Sequence, residues 1–302
     1  MTSEREATMD GQAVTAMDGM TAAGGPPELR ALAADLARRA SRLVADERQA
    51  GVSVAATKSS LVDVVTAVDQ ASEAFIRAAL AELRPDDGFI GEESGSSAGA
   101  SGLTWVVDPI DGTVNFLYGI PAYAVSIAVM SGSDPFDGGL LAGAVANPAT
   151  GEIWSASRGG GAFLDGRPVR ASAAGELSLA LVGTGFSYLP ERRRAQGAMT
   201  AELLPRVRDL RRIGAAALDL CAVATGRLDG YVERWLNPWD YAAGVLIAEE
   251  AGAAVSATEP AADGSRLVTA AAPGIAAELA DVVAPLDAAV LARLGVAGET
   301  SN

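Results

Sequence analysis

The sequence contains no histidine among its 302 residues. Without an imidazole, neither a Ser-His-Asp nor a Cys-His catalytic arrangement can form, and metal sites that need a histidine ligand are excluded as well. Any hydrolytic chemistry would therefore have to rest on carboxylates, hydroxyls and hard cations that prefer oxygen ligands, such as Mg²⁺.

Cysteine is nearly absent, since Cys221 is the only one. A single cysteine excludes an internal disulfide and fits a reducing cytoplasm. Cys221 lies in the apolar helical run 218–223, which is typical of a buried, unreactive thiol rather than of a nucleophile.

Long hydrophobic runs and excess positive charge are also missing. No stretch approaches the roughly 20 apolar residues that span a bilayer, and the N-terminus lacks the basic and apolar regions of a secretory signal. The 38 acidic residues outnumber the 23 basic ones, giving a net charge of −15, which argues against direct binding to nucleic acid. We therefore expect a cytoplasmic protein that binds neither membrane nor nucleic acid.

Aromatic residues make up only 5% of the chain, whereas glycine and alanine are plentiful, so helices and strands can approach closely. Predicted helices and strands are mixed rather than strictly alternating, which favours layered sheets and helices over a (β/α)₈ barrel. A helix is expected from Pro26, a polar connector at Ala55–Ser60 and a flexible loop at Gly95–Gly102. A basic surface helix is expected over Pro190–Leu210, with an interruption near Pro205.

The chain is organised around the stretch W-V-V-D-P-I-D-G-T-V-N-F at Trp105–Phe116. Its apolar start predicts a buried strand that ends on Asp108, because Pro109 offers no N–H group to a sheet. Thr113 and Asn115 are suited to start a helix, since their side chains can accept hydrogen bonds from free backbone N–H groups.

This arrangement holds the carboxylates of Asp108 and Asp111 close together beside a helix start. Close carboxylates repel each other unless a cation lies between them, and the N–H groups of a helix start attract phosphate. The stretch is thus interpreted as a cation site beside a phosphate site. The alternative is an ordinary polar turn, because Asp and Gly dominate turns for local reasons.

Further acidic residues lie at the ends of other predicted elements. Glu92 and Glu93 follow a short strand, Asp69 begins the helix that contains Leu83 in its apolar stripe, and Asp240 lies in the first turn of a helix opened by Pro238. Each has a bland interpretation as a solvated charge or a residue that complements a helix dipole. If they converge, four or five carboxylates would bind two divalent cations, one activating water and another stabilising the leaving oxygen.

With these acidic residues in their sequence context, the chain resembles the inositol monophosphatase family, within the larger group of Mg²⁺-dependent, lithium-sensitive phosphatases. The resemblance extends from about residue 30 to the end and is carried by motifs in the matching order: K-S-S and V-T-A-V-D within 58–69, G-E-E-S at 91–94, D-P-I-D-G-T-V-N-F at 108–116, G-A-A-A-L-D-L-C at 214–221, Glu233, and W-D-Y-A-A-G at 239–244.

The resemblance implies a set of metal ligands. Glu92, Asp108 and the backbone carbonyl of Ile110 would bind a first Mg²⁺, and Asp108, Asp111 and Asp240 a second, with a third, weaker ion sharing Glu92. Two or three Mg²⁺ ions are thus expected in each site, and Li⁺ is expected to inhibit.

The resemblance also implies roles around the substrate. Glu92 and Thr113 would orient the attacking water, with Asp69 supporting Thr113. The backbone N–H groups of Gly112 and Thr113 would hold phosphate, and Lys58 matches a charged residue near the site. Positions that contact the inositol ring correspond to Glu233 and the backbone of Gly214, Ala215 and Ala216.

For the fold, the resemblance implies a layered α-β-α-β-α sandwich of the inositol monophosphatase and fructose-1,6-bisphosphatase type, assembled as a homodimer. Residues 1–25 are expected to form a disordered tail, and 26–302 one catalytic unit with a metal-site half (about 26–170) and a substrate-contact half (about 171–302).

The implied reaction is hydrolysis of myo-inositol monophosphate to myo-inositol and phosphate by direct in-line attack of water. Two alternatives stay open. One is a phosphatase for another small ester, such as histidinol phosphate, fructose bisphosphate, a nucleoside 3′-phosphate or NADP. The other is a regulatory protein that kept the fold without the activity.

Overall fold

The computed structural model describes residues 24–50, 54–57 and 64–296. The tail predicted at 1–25 lies outside the described residues except for its last two positions, and Lys58 lies outside them too. None of the helices within these described ranges is long and apolar enough to cross a membrane.

Helices and strands are mixed along the chain, as predicted. The helices are α1 (Pro26–Ala50), α2 (Ala67–Leu83), α3 (Thr113–Tyr118), α4 (Pro190–Leu203), α5 (Ala216–Ala224), α6 (Pro238–Glu250) and α7 (Pro273–Leu294). The strands are β1 (Val54–Thr57), β2 (Val64–Thr66), β3 (Gly88–Gly91), β4 (Gly95–Ser97), β5 (Leu103–Asp111), β6 (Ala124–Ser131), β7 (Leu140–Ala146), β8 (Ile153–Ser157), β9 (Gly161–Leu164), β10 (Arg167–Pro168), β11 (Leu181–Thr184), β12 (Asp209–Arg211), β13 (Gly230–Arg234), β14 (Ala254–Ala257) and β15 (Leu267–Ala271).

Two large sheets carry most of the strands. The first has eight strands in the order β10-β9-β8-β7-β6-β5-β3-β4, and the second has five in the order β12-β11-β13-β15-β14. Parallel pairs occur between β3 and β5 and between β11 and each of its neighbours, whereas the other pairs are antiparallel. The two short strands β1 and β2 pair only with each other.

The helices divide the molecule into five layers. Helices α1 and α2 pack on one face of the eight-stranded sheet, α5 and α6 lie between the two sheets, and α4 and α7 cover the far face of the five-stranded sheet. Three hydrophobic clusters fill the spaces between these layers. This mixed α/β fold with two layered sheets is the α-β-α-β-α arrangement that the sequence resemblance implied.

Strand β5 shows how the sequence builds the layers. Trp105 and Val107 face the cluster under α1 and α2, whereas Val106 faces the cluster around α5 and α6. Because successive strand residues point to opposite faces, a continuous apolar run is what a strand buried on both sides requires. β5 is thus fixed centrally, with its carboxyl end at the site.

Small residues allow the close packing that the composition predicted. A Cβ added at Gly143 of β7 would lie 3.1 Å from Cα of Ala243 in α6, and one at Gly244 would lie 2.7 Å from Cβ of Leu220 in α5. Cys221 is fully buried in the same layer, and burial raises the pKa of its thiol well above the ordinary value. The prediction that this thiol is buried is therefore confirmed.

Pro109 does not end β5, contrary to the prediction. The strand continues to Asp111, with a register shift against β6 between Asp108 and Asp111. Proline is tolerated at such an irregularity because a bulged residue has no ladder hydrogen bond to donate. Thr113 and Asn115 were also expected to cap α3, but Gly112 precedes the helix in a left-handed conformation and no side chain caps it.

Other local predictions were wrong in ways that tertiary contacts explain. The expected loop at Gly95–Gly102 contains β4, which pairs with β3, and the expected connector at Ala55–Ser60 overlaps β1. The helix predicted over Pro190–Leu210 ends at Leu203, close to the interruption expected near Pro205, but the last part of the range forms β12 beside β11 rather than helix. Leu83, expected in the core stripe of α2, is 56% exposed.

Candidate active site

A cavity of about 380 Å³ lies where β5, α3, α5, α6 and the end of β13 meet. Most of the residues singled out in the sequence line this cavity. They are Glu92, Asp108, Ile110, Asp111, Gly112, Thr113, Gly214, Ala215, Ala216, Glu233 and Asp240. Asp69 is not among the lining residues, but its carboxylate accepts a hydrogen bond from the hydroxyl of Thr113, which does line the cavity.

Asp108 is the most buried of the lining acids, with 1% of its surface exposed. Its Oδ1 accepts a hydrogen bond of 2.9 Å from the backbone N–H of Ile110 across the bulge. Burial raises the pKa of Asp108 well above the ordinary range, and the negative charges of Glu92, Asp111 and Asp240 raise it further. The four acids therefore act on one another electrostatically, as the sequence interpretation required.

Asp111 is tied to the start of α5. Its Oδ2 accepts a hydrogen bond of 2.7 Å from the N–H of Ala217, in the first turn of that helix. Burial raises the pKa of Asp111 to about 7, although the N–H groups of α5 oppose this shift by stabilising the carboxylate. A positive helix end thus holds an acid that burial alone would neutralise.

Asp240 is fixed by the capping of α6. Pro238 opens the helix, and the side chains of Asn237 and Asp240 form a reciprocal capping box with each other's backbone. Oδ2 of Asp240 accepts the N–H of Asn237 at 2.7 Å. Burial raises the pKa of Asp240 well above its ordinary value, and the negative charges of Glu92 and Asp111 raise it further.

Glu92 follows β3 on a turn that a residue missed by the sequence analysis holds in place. The buried carboxylate of Glu73 in α2 accepts the N–H of Glu93 at 2.9 Å and that of Ser94 at 2.7 Å. A Cβ on Gly91 would lie 2.5 Å from Oε2 of Glu73, so only glycine fits there. One signal was available, because Glu73 lies four residues after Asp69 on the same helix face.

Thr113 and Asp69 form a second buried connection. Oγ1 of Thr113 lies 3.1 Å from Oδ1 of Asp69 and 3.0 Å from the carbonyl oxygen of Ile110. The other oxygen of Asp69 accepts both the N–H and the hydroxyl of Thr66, the residue that caps the start of α2. Burial raises the pKa of Asp69, and these hydrogen bonds lower it. Asp69 thus combines a position in the first turn of α2, where an acid complements the helix dipole, with a contact to the site.

Glu233 lies on β13 and lines the same cavity. The hydroxyl of Tyr231 donates a 2.6 Å hydrogen bond to its Oε2. A Cβ on Gly185 would lie 1.9 Å from that same oxygen, so the carboxylate rests directly over the glycine backbone. Burial raises the pKa of Glu233 to about 7, against the opposing effects of Tyr231 and the positive charge of Arg212.

Two glycines bring the two sheets' loops together. Gly112 has φ +88°, and a Cβ there would lie 3.0 Å from the carbonyl oxygen of Gly214. Gly214 has φ +97° and is itself crowded by Arg212 and Asn115. The sequence analysis also missed cationic and aromatic lining residues on this side, namely Arg192, Arg212 and Trp235.

The donor set fits a hard divalent cation. Every candidate ligand is a carboxylate or carbonyl oxygen, and burial with mutual repulsion is the setting that a bound cation would relieve. Within the described ranges, however, no three acidic or cysteine side chains already form a closed metal-binding cluster. Mg²⁺ usually keeps several waters and takes one or two protein carboxylates, so an open arrangement suits it.

The fold and this carboxylate-lined cavity define a two-sheet α/β protein with an acidic active-site pocket. The model of the inositol monophosphatase family matches residues 26–291. The chain belongs to the inositol monophosphatase family, which is a family of enzymes.

Several relatives and solved structures are similar over most of their length. The chain is 48% identical to the inositol-1-monophosphatase of Mycobacterium leprae over 271 residues, covering 83% of this chain and 91% of that protein. The structure of Mycobacterium tuberculosis SuhB matches with a TM-score of 0.74 and 46% identity, covering 87% and 98% of the two chains. The structure of inositol monophosphate bound SaIMPase-II matches with a TM-score of 0.70 and 25% identity, covering 89% and 98%.

Proposed function

We propose that this protein is a divalent-cation-dependent phosphatase that hydrolyses myo-inositol monophosphate to myo-inositol and phosphate. One observation carries the proposal: the acidic cluster around Asp108 and the carboxylate of Glu233 line the same cavity. A phosphate ester could therefore place its phosphate among the first group and its alcohol against the second. The family membership and the inositol monophosphate in a structural relative support this choice.

The proposed cation ligands are Glu92, Asp108, Asp111, Asp240 and the carbonyl oxygen of Ile110. Magnesium is the proposed cation because all of these donors are oxygen atoms and the chain has no histidine. A divalent cation bound there would supply charge stabilisation for the phosphate and a lowered pKa for water.

The chain's own groups would position the water. Since the hydroxyl of Thr113 has one proton, donating it to Asp69 leaves its lone pairs free to accept a hydrogen bond from water. Glu92, held by the turn that Glu73 fixes, would accept a hydrogen bond from the other O–H of that water. Together these groups would orient the oxygen lone pair toward phosphorus.

On the alcohol side, Glu233 would accept hydrogen bonds from ring hydroxyl groups. Tyr231 donates to one of its oxygens, which leaves the remaining acceptor capacity for substrate. The backbone of Gly214, Ala215 and Ala216 lines the same side. Such a wall suits a polyol better than an apolar alcohol.

Three further properties belong to the proposal through the family resemblance: inhibition by Li⁺, assembly as a homodimer, and a cytoplasmic location. Lithium inhibition should be uncompetitive or mixed against substrate and should weaken in Asp240→Asn. Clean competition with substrate would contradict the assignment of Asp240.

The test is phosphate release from a panel of esters with Mg²⁺ present. The panel contains myo-inositol 1-phosphate, histidinol phosphate, fructose 1,6-bisphosphate, a nucleoside 3′-phosphate and NADP. We expect the highest kcat/KM for myo-inositol 1-phosphate. A clear preference for another member would replace the substrate, and no release from any ester would favour a non-catalytic protein.

A further inference from the structure

Trp235 occupies an unusual backbone conformation beside the cavity. It follows directly after β13 and has φ +70°, in the left-handed region. A bulky side chain is a genuine outlier there, whereas glycine adopts the region freely. The other non-glycine residue with positive φ in the described ranges is Asp165, which lies in the hairpin turn between β9 and β10, where such values are common.

The backbone on the N-terminal side of Trp235 is firmly anchored. Arg234 is buried and makes a bidentate ion pair with Asp287 of α7, with contacts of 2.6 and 2.5 Å. It also donates to the carbonyl oxygen of Ser265 at 2.8 Å. The direction in which Trp235 leaves the strand is therefore fixed by the core of the molecule.

The indole of Trp235 is clamped by two charged side chains from other elements. Its Nε1 donates to Oδ2 of Asp263 at 2.9 Å. The guanidinium of Arg192, in the first turn of α4, lies 5.0 Å from the ring centroid and 3.4 Å from the same Asp263 oxygen. A cation on the ring face and an acceptor at its edge suit the charge distribution of an indole.

This clamped indole is shared by two neighbouring spaces. Arg192, Trp235, Leu236 and Asn237 line the active-site cavity of about 380 Å³, and the same four residues line a neighbouring groove of about 490 Å³. Other residues of that groove include Asp134 and Arg266, which form an ion pair. Glu233, the proposed alcohol contact, lies two residues before Trp235.

We propose that Trp235, held by Arg192 and Asp263, is a specificity-determining wall that restricts the alcohol half of the substrate to about one ring. This inference rests on the proposed phosphatase function and specifies its substrate class as compact cyclic phosphomonoesters. A larger alcohol would have to extend into the neighbouring groove, and the clamped indole stands across that route. The strained backbone is maintained because it places the indole between the two spaces.

The test compares kcat/KM for myo-inositol 1-phosphate and for trehalose 6-phosphate, whose alcohol has two rings. Trp235→Gly removes the wall and suits the positive φ, and Trp235→Asn gives a second variant that tolerates the left-handed conformation. Arg192→Ala removes the clamp but keeps the indole. Arg193→Ala is the matched control, because Arg193 is an exposed neighbour on the same helix that does not line the cavity.

We expect the ratio of kcat/KM for the disaccharide ester to that for the inositol ester to rise by about tenfold or more in Trp235→Gly and Trp235→Asn. Arg192→Ala should shift the ratio in the same direction by less, and Arg193→Ala should leave it unchanged. An unchanged ratio in folded Trp235 variants, or equal losses on both esters, would overturn the proposed role of Trp235 in restricting the size of the alcohol. Failure of the wild-type protein to hydrolyse either ester would instead overturn the proposed function.

Discussion

The hydroxyl of Thr113, at the start of α3, lies 3.1 Å from the carboxylate of Asp69 in α2. The two residues are separated by 44 positions in the sequence, and the contact links the phosphate side of the cavity to a buried acid. Asp69 and the carbonyl oxygen of Ile110, at 3.0 Å, are the two acceptors within reach of the hydroxyl proton, so the lone pairs of the hydroxyl oxygen stay available to accept.

Thr113→Val should therefore reduce kcat by about 10²- to 10⁴-fold, because the nearly isosteric side chain cannot accept a hydrogen bond from water. KM for myo-inositol 1-phosphate should change little. Thr113→Ser keeps the hydroxyl and is the control. Steady-state kinetics on both variants provide the measurement, and a valine variant with near-normal kcat would remove Thr113 from the water-positioning role.

Glu73 should matter for the cation even though it does not line the cavity. Glu73→Ala removes the acceptor for two backbone N–H groups in the turn after Glu92, and a hydrogen bond to a charged group contributes about 1.5–3 kcal/mol. We expect a lower melting temperature and a smaller rise in that temperature when Mg²⁺ is added. Glu82→Ala, an exposed change on the same helix, is the control. If both variants respond to Mg²⁺ like the wild type, the turn does not position Glu92.

Glu233 gives a pH dependence of stability whose sign follows from its pKa. Burial raises that pKa from 4.5 to about 7 in the folded protein. The folded state therefore binds this proton more tightly, so the stabilisation is fully present below about pH 4.5 and is lost as the pH rises through about 7. In chelator, the melting temperature of the wild type should fall more steeply between about pH 4.5 and about pH 7 than that of Glu233→Gln. The glutamine still accepts from Tyr231, so parallel pH profiles would contradict the raised pKa.

The same substitution should discriminate between substrates. If Glu233 accepts hydrogen bonds from ring hydroxyls, Glu233→Gln should lower kcat/KM for myo-inositol 1-phosphate by about ten- to a hundredfold, since one charged hydrogen bond contributes about 1.5–3 kcal/mol. Hydrolysis of 4-nitrophenyl phosphate, which has no such hydroxyls, should change much less. Equal losses on the two esters would assign Glu233 a structural or cation-binding role instead.

The sequence predicted those parts of the fold and site that depend on local pattern. The proline before Asp240 was sufficient to place that acid in the first turn of a helix, and the apolar run before Asp108 was sufficient to place Asp108 on a buried strand, although not at its end. Asp108 and Asp240 are 132 positions apart in the sequence, yet both line one cavity. Their meeting was expected only from the family resemblance, because linear spacing carries no information about which layers pack together.

Features that arise from tertiary contacts were not predicted. Pro109 lies within β5 because a bulge there removes the need for its N–H, and β4 forms in a polar stretch because β3 offers it an edge. The left-handed conformation of Trp235 contradicts its residue type and is imposed by its anchored surroundings. Local propensity cannot reveal such positions.

The most direct test of the account is phosphate release from myo-inositol 1-phosphate by metal-stripped protein as Mg²⁺ is restored, for the wild type and for Asp108→Asn. Asp108 is the buried acid on which the charges of Glu92, Asp111 and Asp240 act, and its asparagine variant keeps the shape of the side chain. We predict no release in chelator, full recovery of the wild type with Mg²⁺, and a loss on the order of 10³-fold or more in Asp108→Asn with the fold intact. Equal release with and without Mg²⁺, or a variant as active as the wild type, would contradict it.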